Sequence, residues 1–227
     1  MTRSPIDNEA GRNPRTPPPK GLPPLLHADN RLLVFIKPPG LLSVPGIGPD
    51  KVDCLVSRAE SSFPGARIVH RLDRDTSGVI VLARDAETHR ELSRQFHDRE
   101  VDKQYEAIVG GRVAIDEGVI DAALRKDMDN PPRQVIDDAQ GRSATTGFRV
   151  LERLEDRTRL ELTPVTGRSH QLRVHMTSIG HPILGDDLYA PPELLALSQR
   201  LLLHATLLTI THPGTGDAMT FHDPCPF

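Results

Sequence analysis

The sequence predicts an α+β fold built on a mixed, mostly antiparallel central sheet with flanking helices and loops. Three observations carry this. Short apolar or alternating runs over residues 32–36, 103–109, 119–124, 145–151, 158–162 and 201–210 read as strands. Between residues 118 and 164 the connections are too short for repeated helical crossovers, so those strands should pair mostly antiparallel. Helical patterning is confined to a few segments, and no internal repeat is present.

With 227 residues, 37% of them hydrophobic, the chain could hold one large domain or two small ones, and one is the simpler reading. Residues 1–25 are rich in Pro, Arg, Asn and Gly and bury too little apolar surface to offset the entropy of ordering them. They are expected to form a flexible tail, which leaves 26–227 as the folded domain. Leu32-Leu33-Val34-Phe35-Ile36 makes a strand closed by the turn Lys37-Pro38-Pro39-Gly40. After the loop Pro45-Gly46-Ile47-Gly48-Pro49, Val52, Leu55 and Val56 mark one face of a helix over 52–59. Asp85 is a natural N-cap for a helix reaching about His97, with Ala86, Leu92 and Phe96 as its apolar stripe. Lys103 to Val109 alternates like a half-buried strand and stops at Gly110-Gly111. Ser169 is placed to cap a helix over 170–179 that Gly180 ends, and a short helix over 191–200 precedes the last long strand.

The net charge of -3 neither supports nor excludes a nucleic-acid partner. Cys54 and Cys225 lie far apart, without the spacing of a zinc site, and suit reduced thiols. No run approaches the roughly 18 apolar residues of a membrane span, and no signal-like apolar region opens the chain, so a cytoplasmic protein with no membrane partner is expected. No apolar stripe is left over for a second subunit, which predicts a monomer.

The densest polarity lies between the β-branched pairs Ile68-Val69 and Val79-Ile80, where His70, Arg71, Asp73, Arg74, Asp75, Thr76, Ser77 and Gly78 stand together. Asp73 to Gly78 matches the first half of a calcium loop, but the twelfth position is Arg84 instead of a bidentate carboxylate, and neither flank is helical. Asp73 and Asp75 have the spacing of an aspartyl-phosphatase pair. His70-Arg71, however, interrupts the apolar strand such a site needs, and the other acids are scattered. In isolation Asp-Thr-Ser-Gly is also ordinary turn chemistry.

The stretch is not isolated. His70-Arg71-Leu72-Asp73 followed by Thr76-Ser77-Gly78 resembles the signature of the RluA family of pseudouridine synthases. Lys37-Pro38-Pro39-Gly40-Leu41, Lys103-Gln104-Tyr105, Gly167-Arg168-Ser169-His170-Gln171-Leu172-Arg173-Val174-His175 and His181-Pro182-Ile183-Leu184-Gly185-Asp186 are similar to that family's other motifs, in the same order. The resemblance implies the pseudouridine synthase fold, with residues 26–227 as the catalytic domain. It also implies a uridine isomerisation that breaks the N1–C1′ bond and joins C5 to C1′, which needs no cofactor and no metal. In that chemistry Asp73 would be the catalytic carboxylate and Arg173 its guanidinium partner. Tyr105 would stack on the flipped uracil and serve in proton transfer. Arg71 is placed to fill the space the base vacates. Arg168 and His170, at a helix start, suit phosphate contact. His70 is read as an RNA contact or a satisfied structural histidine, the second being preferred. Arg90, Arg94, Arg99 and Lys103 could extend a basic track, although interleaved acids favour a salt-bridged helix face at least as much.

Gly40-Leu41-Leu42-Ser43-Val44-Pro45-Gly46, Arg94-Gln95-Phe96 and Met219-Thr220-Phe221 are similar to the branch of the family that modifies both large-subunit ribosomal RNA and the anticodon stem-loop of tRNA. The stretch before Leu32 is expected to be too short for the S4 domain that many relatives carry. The alternatives are the same chemistry on a single RNA target and, outside this class, a non-catalytic RNA-binding module or a magnesium-dependent aspartyl phosphatase.

Overall fold

The computed structural model describes residues 17–46 and 52–227. In chain order its elements are β1 (Leu25–Ala28), β2 (Leu32–Lys37), α1 (Leu55–Ser62), β3 (Arg67–Ile68), β4 (Ser77–Ala83), α2 (Ala86–Asp98), β5 (Asp102–Gly110), β6 (Glu117–Asp121), β7 (Leu124–Lys126), β8 (Gln134–Ile136), β9 (Thr145–Arg153), β10 (Arg157–Pro164), α3 (Gln171–Ser178), α4 (Pro192–Leu195), β11 (Leu203–Thr211) and β12 (Ala218–His222). One sheet runs β1-β2-β4-β11-β5-β10-β9-β6, with β3 beside β4 and β12 beside β11, while β7 and β8 form a separate hairpin. Among the described residues every pairing of named strands is antiparallel except the β4–β11 seam, where Ser77 and Gly78 run parallel to His204 and Ala205. The mixed, mostly antiparallel sheet expected from the sequence is observed.

Burial explains the patterns. β4 is apolar along most of its length because both of its faces are covered. Val79, Val81 and Ala83 share a cluster with Leu92 and Phe96 of α2, whereas Ile80 and Leu82 pack with Leu55 and Ala59 of α1. β10 alternates instead: Leu160 and Leu162 are buried with Leu172 and Met176 of α3, and Arg159 and Glu161 point the other way. Each fully buried Leu or Val contributes about 1.5–3 kcal/mol. These packed layers leave the site at one end of the central strands, where β4 and β11 begin and β10 ends.

Several elements depart from the sequence reading. α1 starts at Leu55, and Val52 stays outside it, 58% exposed. The buried stripe of α2 is Thr88, Leu92 and Gln95 rather than Ala86. Gln95 belongs in the core because its amide trades two hydrogen bonds with the backbone of Thr211, at 2.8 and 3.0 Å. The single strand expected over 119–124 is two, because the chain leaves the main sheet for the hairpin at Ala122 and Ala123. The helix expected over 191–200 is one turn, and the Ser198 hydroxyl, bonding both backbone groups of Arg200, ends it. Ser169 does not cap α3. His170 precedes the helix in the left-handed conformation (φ 55°), and the Gln171 side chain accepts from the Arg168 N–H at 3.0 Å. Most of the expected tail, residues 1–16, lies outside the described residues, as does 47–51 of the loop after β2. From Pro19 onward the chain is held, since Arg58 Nη1 donates to the carbonyls of Pro19 and Gly21 at 2.7 Å each. Among the described residues no helix is long and apolar enough to cross a membrane.

Candidate active site

Asp73 lies on the loop from β3 to β4, and the backbone of that loop is fastened at several points. The Thr76 N–H donates to the Asp73 carbonyl at 3.2 Å, closing a tight turn. Ser43 Oγ donates to the Leu72 carbonyl at 2.7 Å and accepts from the Leu72 N–H at 3.1 Å, so one hydroxyl fixes both backbone groups of the preceding residue. Lys37 is fully buried, and its Nζ donates to the carbonyls of Pro38, Leu41 and Arg74 at 2.9, 2.8 and 2.9 Å. Burial pushes this ammonium down to about 7, against the opposing pull of Asp75 and Asp73. At the far end of the loop, Ser77 Oγ sits 2.7 Å from His204 Nδ1 and accepts from Arg200 Nη2. His204 Nε2 in turn faces Asp223 Oδ2 at 3.0 Å.

Arg173 projects from α3 toward the same loop and is almost wholly buried. Its Nη1 is 3.8 Å from Asp73 Oδ2. The guanidinium's closer bonds go elsewhere: Nε and Nη2 donate to Asp186 at 2.7 and 2.6 Å, and Nη2 lies 3.3 Å from Asp187 Oδ1. The sequence reading paired Arg173 with Asp73 alone, whereas its two-pronged grip is on Asp186. Burial works against the arginine's charge, but Asp186 and then Asp73 outweigh it and raise its pKa. Tyr105 stands in mid-β5 opposite Ala205 and Leu162. Burial first, and the Asp73 charge second, push its phenol well above the ordinary range, so the hydroxyl keeps its proton.

Asp73, Tyr105 and Arg173 line one cavity of about 120 Å³, together with Arg71, Arg168 and His170. Six of the seven residues chosen from the sequence thus converge on it, and Arg71 is exposed there. The His170 ring nitrogen Nδ1 lies 2.8 Å from Tyr189 Oη, which itself accepts from the Gln134 N–H. Arg168 Nε donates to the Ser143 carbonyl at 3.0 Å. His70 is the seventh, and it lines an adjoining groove instead. Its Nε2 accepts from the Val81 N–H at 3.2 Å, and its ring stacks on Phe96 at 4.4 Å between centroids. Burial holds its pKa down to about 3, with Lys103 adding to the shift, so the ring is neutral. A half-buried carboxylate facing a fixed guanidinium, beside a phenol that keeps its proton, can attack an electrophile or move a proton.

Residues 31–178 match the family model for RNA pseudouridylate synthases, a span that contains Asp73, Tyr105 and Arg173. The chain belongs to the RNA pseudouridylate synthase family. It is 51% identical over 198 residues to the dual-specificity RNA pseudouridine synthase RluA of Yersinia pestis, covering 87% of this chain and 96% of that protein. It is 50% identical over 204 residues to the protein of the same description from Haemophilus influenzae, covering 89% and 93%. Two solved structures share the fold. Human RNA pseudouridylate synthase domain containing 1 superposes with a TM-score of 0.75 at 28% identity, over 89% of this chain and 83% of that one. Human RNA pseudouridylate synthase domain containing 4 gives 0.71 at 28% identity, over 89% and 88%.

As a pseudouridine synthase the chain is an isomerase acting on RNA. Sequence reasoning left out the groups that hold its site in place. Lys37, Ser43 and Asp186 lay inside motifs already singled out, yet nothing in a motif says that a lysine bonds carbonyls rather than solvent. His204 and Arg200 carried a weaker signal: a histidine inside the apolar run Leu201-Leu202-Leu203-His204-Ala205 needs a buried partner.

Proposed function

We propose that this isomerase converts specific uridines to pseudouridine in two kinds of RNA, large-subunit ribosomal RNA and the anticodon stem-loop of tRNA. The observation that carries the chemistry is the Asp73 carboxylate, 19% exposed in a cavity it shares with Tyr105 and Arg173. The two-substrate reading rests on relatives at about half identity whose own names carry dual specificity.

The target nucleotide leaves its stack at a cost of a few kcal/mol, and Arg71 takes the vacated place, its planar guanidinium suited both to bases and to phosphate. The freed uracil stacks on Tyr105. Asp73, ionised, attacks the ribose or the base or assists by taking a proton. The N1–C1′ bond breaks, the uracil turns, and C5 joins C1′; the proton lost from C5 is balanced by one gained at N1. Arg173 supports the charged carboxylate, and Arg168 and His170 are placed for phosphate. The catalytic domain is 26–227, and the protein acts as a cytoplasmic monomer with no cofactor.

Asp73→Asn tests this directly, since it keeps the shape of the side chain and removes its charge. Pseudouridine is mapped in ribosomal RNA and tRNA from cells whose only copy is the wild type or the variant. Loss of particular sites in both RNA classes, by a folded protein that still binds RNA, is the expected result. Loss in one class alone overturns the dual specificity, and persistence of every site overturns the role of Asp73.

A further inference from the structure

Several arginines of this protein are held by carboxylates. Arg31, Arg58, Arg94, Arg125, Arg149 and Arg157 each bond a carboxylate. Among the described residues Arg99, Lys103 and Arg142 form no ion pair with Asp or Glu, and what sets them apart from other such cations is where they stand. They meet in one place. Together with Arg71 and Arg168 they line a groove of about 550 Å³, and no carboxylate lines it with them.

The groove opens from the catalytic cavity, with which it shares Arg71, Lys103, Tyr105, Thr166, Gly167 and Arg168 as common wall. A second groove beside Asp73, of about 450 Å³, is different in kind, because Asp73 and Asp75 line it along with Arg71, Arg74 and Arg173. Cations of the first groove are close enough to feel one another. After burial, Arg99 and Arg142 are what lower the pKa of Arg168, and Arg99 does the same to Lys103. Arg99 also ends α2 in the left-handed conformation (φ 64°), a position glycine fills more easily. A self-repelling cluster without internal counter-charge is stabilised by an external polyanion.

We propose that this groove carries the sugar–phosphate backbone of the RNA strand flanking the target nucleotide, with Arg99 and Arg142 each meeting a phosphate. The proposal rests on the reading of the Asp73 cavity as a uridine-isomerising site, and it selects one of two grooves as the path by which the strand leaves it. The other groove sets two carboxylates among its three arginines, so it offers a phosphate less net positive charge than the first.

The test compares Arg99→Asn, Arg142→Gln and the double variant with wild type, using a transcribed tRNA anticodon stem-loop as the probe. Asn is chosen at position 99 because it tolerates the left-handed backbone. Binding is measured as a function of salt. Each lost phosphate contact should flatten the slope of log K against log salt by about 0.7, the single-strand value, and the double variant by about twice that. Affinity should fall about threefold to tenfold per variant, with the loss appearing in KM rather than in kcat. Arg94→Gln, on the same helix but held by three carboxylates, is the control and should leave the slope as in wild type. A double variant with the wild-type slope overturns the groove as the RNA path. Wild-type turnover reports separately on the underlying reading: no pseudouridine in any RNA, with the slope still responding to both arginines, overturns the isomerase and not the groove.

Discussion

Arg173 faces three carboxylates, and Asp73, the one proposed to react, is the farthest of them. Asp186 is fully buried and holds the guanidinium through two bonds of 2.7 and 2.6 Å, which leaves only Nη1 turned to Asp73 at 3.8 Å. In the proposed reaction Asp186 is thus a positioning residue: fully buried, it fixes the guanidinium whose free end faces Asp73. Removing one member of a buried pair costs about 3–5 kcal/mol, and misplacing a catalytic group by about 1 Å can cost about 100-fold in rate. Asp186→Asn is accordingly expected to lower kcat by about tenfold to 100-fold while RNA affinity stays within about threefold, and Asp186→Glu to recover part of the rate. Single-turnover kinetics at a temperature where circular dichroism shows the variant folded would check this. A folded Asn variant with wild-type kcat would remove Asp186 from the positioning of Arg173.

The β4–β11 seam does for the loop what Asp186 does for the arginine. Gly78 has φ 112°, and a Cβ there would lie 2.2 Å from the Ala205 carbonyl oxygen and 2.6 Å from its nitrogen. Only glycine lets the parallel strands close at the point where the Asp73 loop enters the sheet. Gly78→Ala should cost at least about 3 kcal/mol, from backbone strain and forced separation of the strands, and is read as a lower urea midpoint at constant m value. A loss under about 1 kcal/mol would mean that the seam has slack. Gly78 was legible in the sequence as part of a motif, but the strand it presses against was not, since the β4–β11 pairing joins segments over a hundred residues apart. Local burial explains the rest of the record. β2 was readable because burial along nearly its whole length writes a continuous apolar run. β1 and β8 were missed because they are only four and three residues long and bury no residue fully, so neither alternation nor apolar density marks them. The N-terminus of α3 was misread because a serine offers a generic cap, whereas the actual start depends on a left-handed histidine and a glutamine reaching back.

Charge shows the same division between bulk and local information. A net charge of -3 hid a groove free of carboxylates, because the acidic residues that set the bulk charge lie elsewhere on the molecule. Titration of the whole protein follows from local burial too. His70, His170, His175 and His204 are all shifted down, burial being the first cause in each case. For His70 the folded value is about 3 against 6.5 for the free side chain. Between those limits the unfolded chain binds a proton that the folded one refuses, so stability is full above pH 6.5 and is lost progressively as the pH falls toward 3. For this one ring the loss over that whole range is on the order of 5 kcal/mol. His70→Gln offers Val81 an acceptor that does not titrate. Its unfolding free energy should therefore fall less steeply between pH 6.5 and 4 than that of wild type, even if its stability at neutral pH is lower because the stacking on Phe96 is gone. Urea titrations of both proteins at half-unit pH steps make the comparison. Parallel curves would show that His70 carries its proton in the folded state and that the Val81 N–H is not what it accepts.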